Sequence, residues 1–236
     1  MAYNRNSALE LHKDYSENQK NWEMYIRSYN GGYDYTLGQY LNRYNLELDH
    51  EFNQRLANTP CDNHCKNIIQ IYSSFLFREK ASRDFGSMSD EPSLQPFLKD
   101  ADLEGNNFNT VMKTAQNYAS IYGHCFMILD KPNIQTATRA EELNQEIRPY
   151  VSIVTPENVF DWNFERQPNG KYILNYLKIR EEVDRKGGSY MRIWYPDKVD
   201  TIYVEDDRTE PTLIDTATNL IGKIPAVILY NSKSHK

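Results

Sequence analysis

The amino-acid sequence predicts an α+β fold in which helices come first and an antiparallel, β-rich region follows. Apolar residues recur every three to four positions through much of the chain before Gly123, as they do in amphipathic helices. After Pro149 the pattern changes to short β runs separated by turn sequences such as Pro-Asn-Gly-Lys. A block of helices followed by a meander of strands is typical of α+β proteins and not of alternating βαβ units.

The first two predicted helices begin at capping boxes, in which Ser or Thr precedes Glu or Gln by three residues. One helix is expected over about 7–29, before a Gly-Gly pair, and the next ends near Pro60. The capping pairs are Ser7 with Glu10 and Thr36 with Gln39. The apolar face expected on the second helix is Leu41, Tyr44, Leu48, Phe52 and Leu56.

A third helix is predicted after Asp62, whose carboxylate can cap the first turn. It is expected to bury a broad apolar face made of Ile68, Ile69, Ile71, Tyr72, Phe75 and Leu76. Prolines and polar residues over 85–105 predict a loop with at most a short helix. A fourth helix over 108–122 then ends at Gly123, which is placed for a left-handed cap.

Strands are predicted where β-branched and aromatic residues cluster between turns. The first, over 125–129, follows Gly123 directly and is apolar throughout, so it is expected to be buried. The remaining predicted strands are Tyr150–Val154, Tyr172–Ile179, Tyr190–Tyr195, Thr201–Val204 and Ala226–Tyr230.

Composition and charge disfavour several classes of protein. The chain has 27 basic and 33 acidic residues, a formal charge of -6, which is far from the basic excess of proteins that grip phosphate backbones. No stretch approaches the roughly 18 apolar residues of a membrane span, and the first residues do not resemble a secretion signal. The odd number of cysteines predicts free thiols in a reducing compartment.

Candidate catalytic and metal-binding groups are present, but their context is weak. A zinc site could be imagined from Cys61, His64, Cys65, His124 and Cys125, yet the spacing matches no zinc pattern. His124 and Cys125 would point to opposite faces of a strand, which disfavours a catalytic dyad. The many carboxylates form no recognisable hydrolase or metal-binding pair, and they are interpreted as a solvated acidic surface.

A series of tyrosines in the N-terminal region is interpreted as a surface for protein contacts. Base-stacking platforms usually mix aromatic rings with basic residues, and only Arg27 and Arg43 lie within the series. An alternative is that the rings pack internally on the next helix of the same chain. The possible subunit-contact residues are Tyr25, Tyr29, Tyr33, Tyr35, Tyr40 and Tyr44.

An ordered succession of short motifs resembles the portal proteins of tailed bacteriophages, the head-to-tail connectors. In residues 107–132 a helix ends at glycine, a strand follows, and an Asp-x-Pro sequence closes it. A strand, a turn begun by proline and an Asp-Trp pair come next, and then an aromatic strand and a Gly-Lys-Ile-Pro sequence. The order is more specific than any single motif. The residues that carry the resemblance are Gly123, Asp130, Pro132, Pro156, Asp161, Trp162, Trp194, Gly222 and Pro225.

The resemblance covers about 44–230 and implies the N-terminal, wing part of a portal protein. It implies a helical extension over 1–60 and a wing-like α+β domain over 61–236, with the stem, clip and crown of the family beyond this sequence. The expected protein is a structural virion subunit, without catalytic, metal or cofactor residues, that forms a twelve-fold ring at one capsid vertex after assembly in the host cytoplasm.

The resemblance also implies the partners of such a ring. They are the major capsid protein, the terminase during packaging, and the tail or head-tail adaptor proteins afterwards, while DNA passes through without sequence-specific binding and no membrane is involved. Two alternatives stay open at this point. One is another phage connector or adaptor protein, and the other is an intracellular enzyme with a cysteine or carboxylate site within 107–230.

Overall fold

The computed structural model describes residues 3–59, 63–132, 138–183, 187–205 and 210–232. Helices dominate its first half and strands its second half, which confirms the predicted α+β class. The helices are α1 (Arg5–Leu9), α2 (Lys13–Asn30), α3 (Gly32–Leu37), α4 (Asp49–Asn58), α5 (His64–Leu76), α6 (Leu94–Lys99), α7 (Phe108–Tyr122) and α8 (Arg139–Asn144). The strands are β1 (His124–Asp130), β2 (Tyr150–Val154), β3 (Val159–Arg166), β4 (Tyr172–Val183), β5 (Ser189–Trp194), β6 (Lys198–Val204), β7 (Thr212–Thr218) and β8 (Ala226–Tyr230).

The strands form two antiparallel sheets. The smaller sheet has the order β2-β1-β8, so the central β1 pairs with one strand that follows closely and with one far along the chain. The larger sheet is a meander with the order β3-β4-β5-β6-β7. Its strands are joined in sequence order, as the predicted hairpins require. No helix in the described residues is long and apolar enough to cross a membrane.

The passage from α7 to β1 follows the sequence prediction closely. The side chain of Asn107 caps α7 by accepting a hydrogen bond from the Thr110 amide at 3.0 Å. Gly123 ends the helix in the left-handed conformation, with φ of 88°. The small buried residues Ala115 and Ala119 let α7 approach β1 and pack on Cys125.

The main core lies between the two sheets. Phe126 and Ile128 of β1 meet buried residues of the larger sheet. Two further clusters tie the N-terminal segment to the sheets: one joins Ala8 of α1 to β5 and β6, and the other joins Trp22 of α2 to α7. The main cluster contains Phe126, Ile128, Val159, Leu174, Leu177, Ile179, Trp194 and Ile224.

The helix predicted over 7–29 is in fact two helices, α1 and α2. Asn4 caps α1 by accepting from the Ser7 amide at 2.8 Å, so Ser7 lies inside the helix and does not cap it. The break before α2 has a tertiary cause. The His12 amide donates to the carbonyl oxygen of Phe160 in β3 at 2.8 Å, a bond that a continuous helix would not allow.

The helix predicted from Thr36 to near Pro60 is wrong over its first half. The Thr36 hydroxyl lies in the last turn of α3 and donates to the Gly32 carbonyl, so it does not begin a new helix. The chain then turns until α4, where the Leu48 amide donates to the Glu51 carboxylate at 3.1 Å. The turns are held by Arg55 of α4, which reaches back to the Glu47 carboxylate at 2.8 Å.

The third predicted helix exists as α5, but its predicted environment is wrong. The cap is Asn63, which accepts from the Lys66 amide at 3.0 Å, while the predicted cap Asp62 is outside the described residues. Of the face expected to be buried, only Ile69 packs on the core, against the cluster that contains Trp22 and Tyr122. The other five residues are exposed: Ile68, Ile71, Tyr72, Phe75 and Leu76.

Two strands of the meander went beyond the sequence prediction. Neither β3, which contains the Asp161-Trp162 pair, nor β7 was among the predicted strands. In β7 the side chains are almost all exposed. The strand lies at the edge of its sheet and pairs with β6 among the described strands. An edge strand without a buried face lacks the alternating apolar pattern by which strands are recognised.

Candidate functional site

A buried lysine holds the N-terminal segment against the larger sheet. The side chain of Lys178 in β4 is completely buried, and its amine donates to the carbonyl oxygens of Ser7 at 3.0 Å and Glu10 at 2.5 Å. Burial lowers the pKa of this amine, although the nearby Asp161 carboxylate acts to raise it. The lysine thus satisfies two carbonyls at the end of α1 that the helix itself leaves unpaired.

A second polar contact holds Tyr3, the first described residue, on the larger sheet. The Tyr3 hydroxyl donates to the buried Asp200 carboxylate in β6, which also pairs with Lys198 and accepts from Thr216 at 2.8 Å. Burial would raise the pKa of Asp200, but hydrogen bonds from Lys198, Tyr3 and Thr216 keep it below the usual value. Asp200 therefore remains ionised and joins residue 3 to the middle of the meander.

The motif residue Asp130 bridges the two sheets. It lies at the end of β1, forms an ion pair with Arg192 of β5, and accepts from the Tyr150 hydroxyl at 3.2 Å. Arg192 also reaches Glu181 of β4 at 3.1 Å. This charged group borders a cavity of about 220 Å³ between the sheets, whose wall includes the indole of Trp194. The ion pair between Asp130 and Arg192 joins the smaller sheet to the larger sheet.

The other motif residues occupy turns and layer contacts. Pro156 is buried and begins a short 3-10 turn, and the Pro225 carbonyl accepts from the Leu129 amide at 2.8 Å. Gly222 has φ of 70°, in the left-handed region. Pro132 is half-buried just after β1. These positions shape the backbone and bring no reactive groups together.

The Asp161-Trp162 pair faces the N-terminal segment. The Trp162 indole is half-buried and stacks on the His12 ring, with centroids 4.1 Å apart. Burial raises the pKa of the Asp161 carboxyl, although the nearby Lys178 ammonium opposes this rise. Trp194, by contrast, is almost fully buried in the main core.

Of the cysteine and histidine candidates, Cys125 and His124 have the environment of structural residues, whereas His64 and Cys65 are exposed. Burial raises the pKa of the Cys125 thiol to about 11, and the thiol donates to the Ala115 carbonyl at 3.3 Å. The His124 ring packs between Trp22 and Phe126, and burial lowers its pKa. Within the described residues no group of three or more His, Cys, Asp and Glu could hold a metal, and Cys61 is outside them.

The docked N-terminal segment and the ion pair between the two sheets suit a structural subunit, and comparison with known families identifies which kind. Residues 13–236 match the family described as phage portal protein, SPP1 Gp6-like. The chain belongs to this family of phage portal proteins. A search of curated proteins gave no match. Membership assigns this portal protein a structural role in the phage head, and it confirms the resemblance found in the ordered motifs.

The six N-terminal tyrosines of this portal protein are not equivalent. Tyr25, Tyr33 and Tyr44 are exposed, with 77% of Tyr33 accessible, whereas the other three are half-buried. The Arg55 guanidinium lies over the Tyr44 ring at 4.7 Å. Exposed tyrosines of this kind are enriched in protein interfaces.

Several contacts of this portal protein were not found by sequence reasoning. Lys178 and Arg192 are single basic residues in ordinary strands, so no local pattern distinguishes them from solvated charges. The partners of Lys178 lie more than 160 positions away in sequence, on α1 and the segment after it. A possible signal was a lysine in the apolar run Tyr-Leu-Lys-Ile, where a buried strand requires a polar partner for it.

Proposed function

We propose that this portal protein is a ring subunit at one capsid vertex, through which DNA enters and leaves the head. The observation that carries the proposal is the family match over 13–236, with helices followed by the two sheets as its structural counterpart. The ring has twelve subunits, contacts the major capsid protein, docks the terminase during packaging, and later holds the tail or its adaptors. Assembly takes place in the host cytoplasm.

We further propose that residues 1–60 are an extension of the wing-like domain formed by 61–236. This extension is docked on the domain, since Ala8 and Trp22 are buried against it and Lys178 holds the end of α1. Its outer surface, with Tyr25, Tyr33 and Tyr44, remains accessible and is proposed to contact a neighbouring subunit. The nine motif residues are proposed to keep the shape of the domain, without any role in catalysis.

The charge of the chain supports passage of DNA without a tight grip. A formal charge of -6 gives little attraction for phosphates, and protein contacts with DNA phosphates make binding strongly salt-dependent. DNA can slide through a channel only if the protein binds its phosphates weakly. No chemistry on the DNA is required of the subunit.

Electron microscopy of the purified full chain tests the proposal. We expect closed rings with a central opening, and native mass spectrometry should give a mass near twelve subunits. A protein that stays monomeric at all concentrations, or forms closed dimers, would contradict the ring. A ring of clearly different subunit number that binds completed heads but not the terminase would support a connector or adaptor protein instead.

A further inference from the structure

The outward side of α5 is an apolar stripe without a covering partner among the described residues. Its members, spaced by three and four, line one side of the helix, and Phe75 is 71% accessible. The side of α5 next to this stripe packs on the core through Ile69 and the buried Ser73. One border of the broad apolar face is therefore buried, and the rest of the face is exposed. We call the stripe the α5 face; it consists of Ile68, Ile71, Tyr72, Phe75 and Leu76.

A second apolar surface lies on β7 and the turn that follows it. β7 pairs with β6, and its other edge has no partner among the described strands. Leu220, in the turn, is 92% accessible. Unprotected edge strands with apolar side chains are rare in monomers, because they recruit other chains. We call these exposed residues the β7 face: Leu213 and Ile214 of β7, where the pairing register with β6 shifts, and Leu220 and Ile221 of the turn.

The two faces lie on different parts of the subunit and have opposite charge. α5 packs on α2 and α7, whereas β7 lies at the far edge of the five-stranded sheet. Residues 64–84 contain four basic and two acidic residues, whereas the described residues within 205–223 include three acidic residues and one basic residue. Near the faces, Arg78, Lys80 and Asp215 are exposed. Matched apolar surfaces with opposite charge favour association and fix its register.

We propose that the α5 face of one subunit binds the β7 face of the next subunit in the ring. A closed ring needs a head-to-tail contact, in which two different surfaces meet at every interface, and the complementary charge selects this pair. The occupant of the α5 face is thus a second copy of the same chain. The proposal rests on the proposed ring, for which it names the contact.

Mixing two assembly-deficient variants tests this pairing. The α5-face variant carries Ile71→Asp and Phe75→Asp, and the β7-face variant carries Ile214→Asp and Leu220→Asp. Each should be folded and monomeric by circular dichroism and sedimentation. An equimolar mixture should form one-to-one dimers that do not grow, because only one intact pair of faces remains. Tyr172→Asp, an exposed aromatic on the β3-β4 hairpin, is the control and should still form rings.

A charge exchange provides an independent measurement. Lys80→Glu and Asp215→Lys should each weaken ring formation at low salt, by about tenfold in the concentration needed, and the two changes together should restore it. Rings formed by the α5-face or the β7-face variant would overturn the pairing. So would a mixture that stays monomeric together with no rescue by charge exchange. If the unmodified chain itself forms no rings, the proposed function fails as well.

Discussion

Gly123 shows how a single backbone conformation sets the start of a sheet. With φ of 88° it turns the chain from α7 directly into β1, and its carbonyl accepts from the Asn231 amide at 3.0 Å. A Cβ added there would meet nothing within 4 Å, so a substitution would be penalised by backbone strain and not by a clash. The cap was predictable because the helical period, the glycine and the apolar strand follow one another without interruption.

Gly123→Val is expected to lower the free energy of unfolding by about 1–2 kcal/mol, the cost of a left-handed conformation for a residue with a Cβ. The β-branched side chain of valine further disfavours the left-handed conformation. Gly123→Asn is the matched control and should cost less, because Asn tolerates this region better. Urea unfolding of the three proteins measures the difference, and equal stability of all three would show that the cap is not strained.

Asp161 should give the stability a measurable dependence on pH. Burial raises its pKa in the folded protein, so the stability that it contributes is present below the unfolded value of about 3.9 and is lost as the pH rises through the folded value. Asp161→Asn removes this loss. The stability of the variant relative to the parent should therefore increase over the pH interval that begins near the unfolded value of about 3.9 and ends above the raised folded pKa. A relative stability that falls over this interval would contradict the raised pKa.

At the scale of elements, the sequence was most informative where local pattern and tertiary environment agree. α7 and β1 were predicted well because α7 keeps the helical period up to Gly123, and β1, which is buried on both faces, is apolar through most of its length. α5 was predicted as a helix but its burial was wrong, since periodicity reports that a face is apolar and not what covers it. The helix expected after Thr36 failed because a contact between Arg55 and Glu47 stabilises turns that propensity does not foresee.

The docking of α1 on the larger sheet depends on Lys178, and this dependence can be tested. Lys178→Met keeps the aliphatic stem but leaves two carbonyl oxygens without a donor, at a cost of about 1–3 kcal/mol. We expect lower stability and faster proteolysis near residues 3–12. Lys20→Met, at an exposed position of α2, should change stability by no more than about 0.5 kcal/mol. Equal protease resistance of both variants would argue against the role of Lys178.

At the scale of the whole molecule, the family was predictable and the contacts of its ring were not. The succession of motifs depends only on order along the chain, which the sequence displays directly. Surfaces arise from residues far apart in sequence, as when Lys66 of α5 lies over the Tyr29 ring of α2 at 5.9 Å. Which apolar residues stay exposed is decided by packing between elements, so interfaces were visible only in the folded chain.

The exposed tyrosines should matter for assembly more than for folding. Tyr33→Ser combined with Tyr44→Ser is expected to leave the melting temperature nearly unchanged but to weaken ring formation, because aromatic residues at interface centres often contribute about 2 kcal/mol or more. Tyr15→Ser is the contrasting variant, since Tyr15 is buried and donates to the Glu157 carbonyl at 3.0 Å. It should lower the melting temperature. Rings formed normally by the double variant would exclude the tyrosines from the contact.

The acidic balance of the chain predicts weak binding of DNA in free solution. With a formal charge of -6, the subunit should show no saturable binding of short duplex DNA at about 0.15 M salt in fluorescence anisotropy. Reduced salt should increase any residual binding, and sequence should have no effect. Tight binding with little dependence on salt would mean that the chain reads DNA through contacts other than phosphates.

The pairing of β1 with both β2 and β8 also constrains when a subunit can finish folding. His124 of β1 lies opposite Tyr230, so one edge of β1 can pair only after a segment about a hundred residues later has been synthesised. The meander, in contrast, is built from hairpins of neighbouring strands. During translation the meander can form as it emerges, while β1 keeps one open edge until β8 has left the ribosome. A nascent chain stalled before residue 226 therefore exposes the unpaired edge of β1. Binding of chaperones to the nascent chain should be greatest after β1 and before β8 has been synthesised.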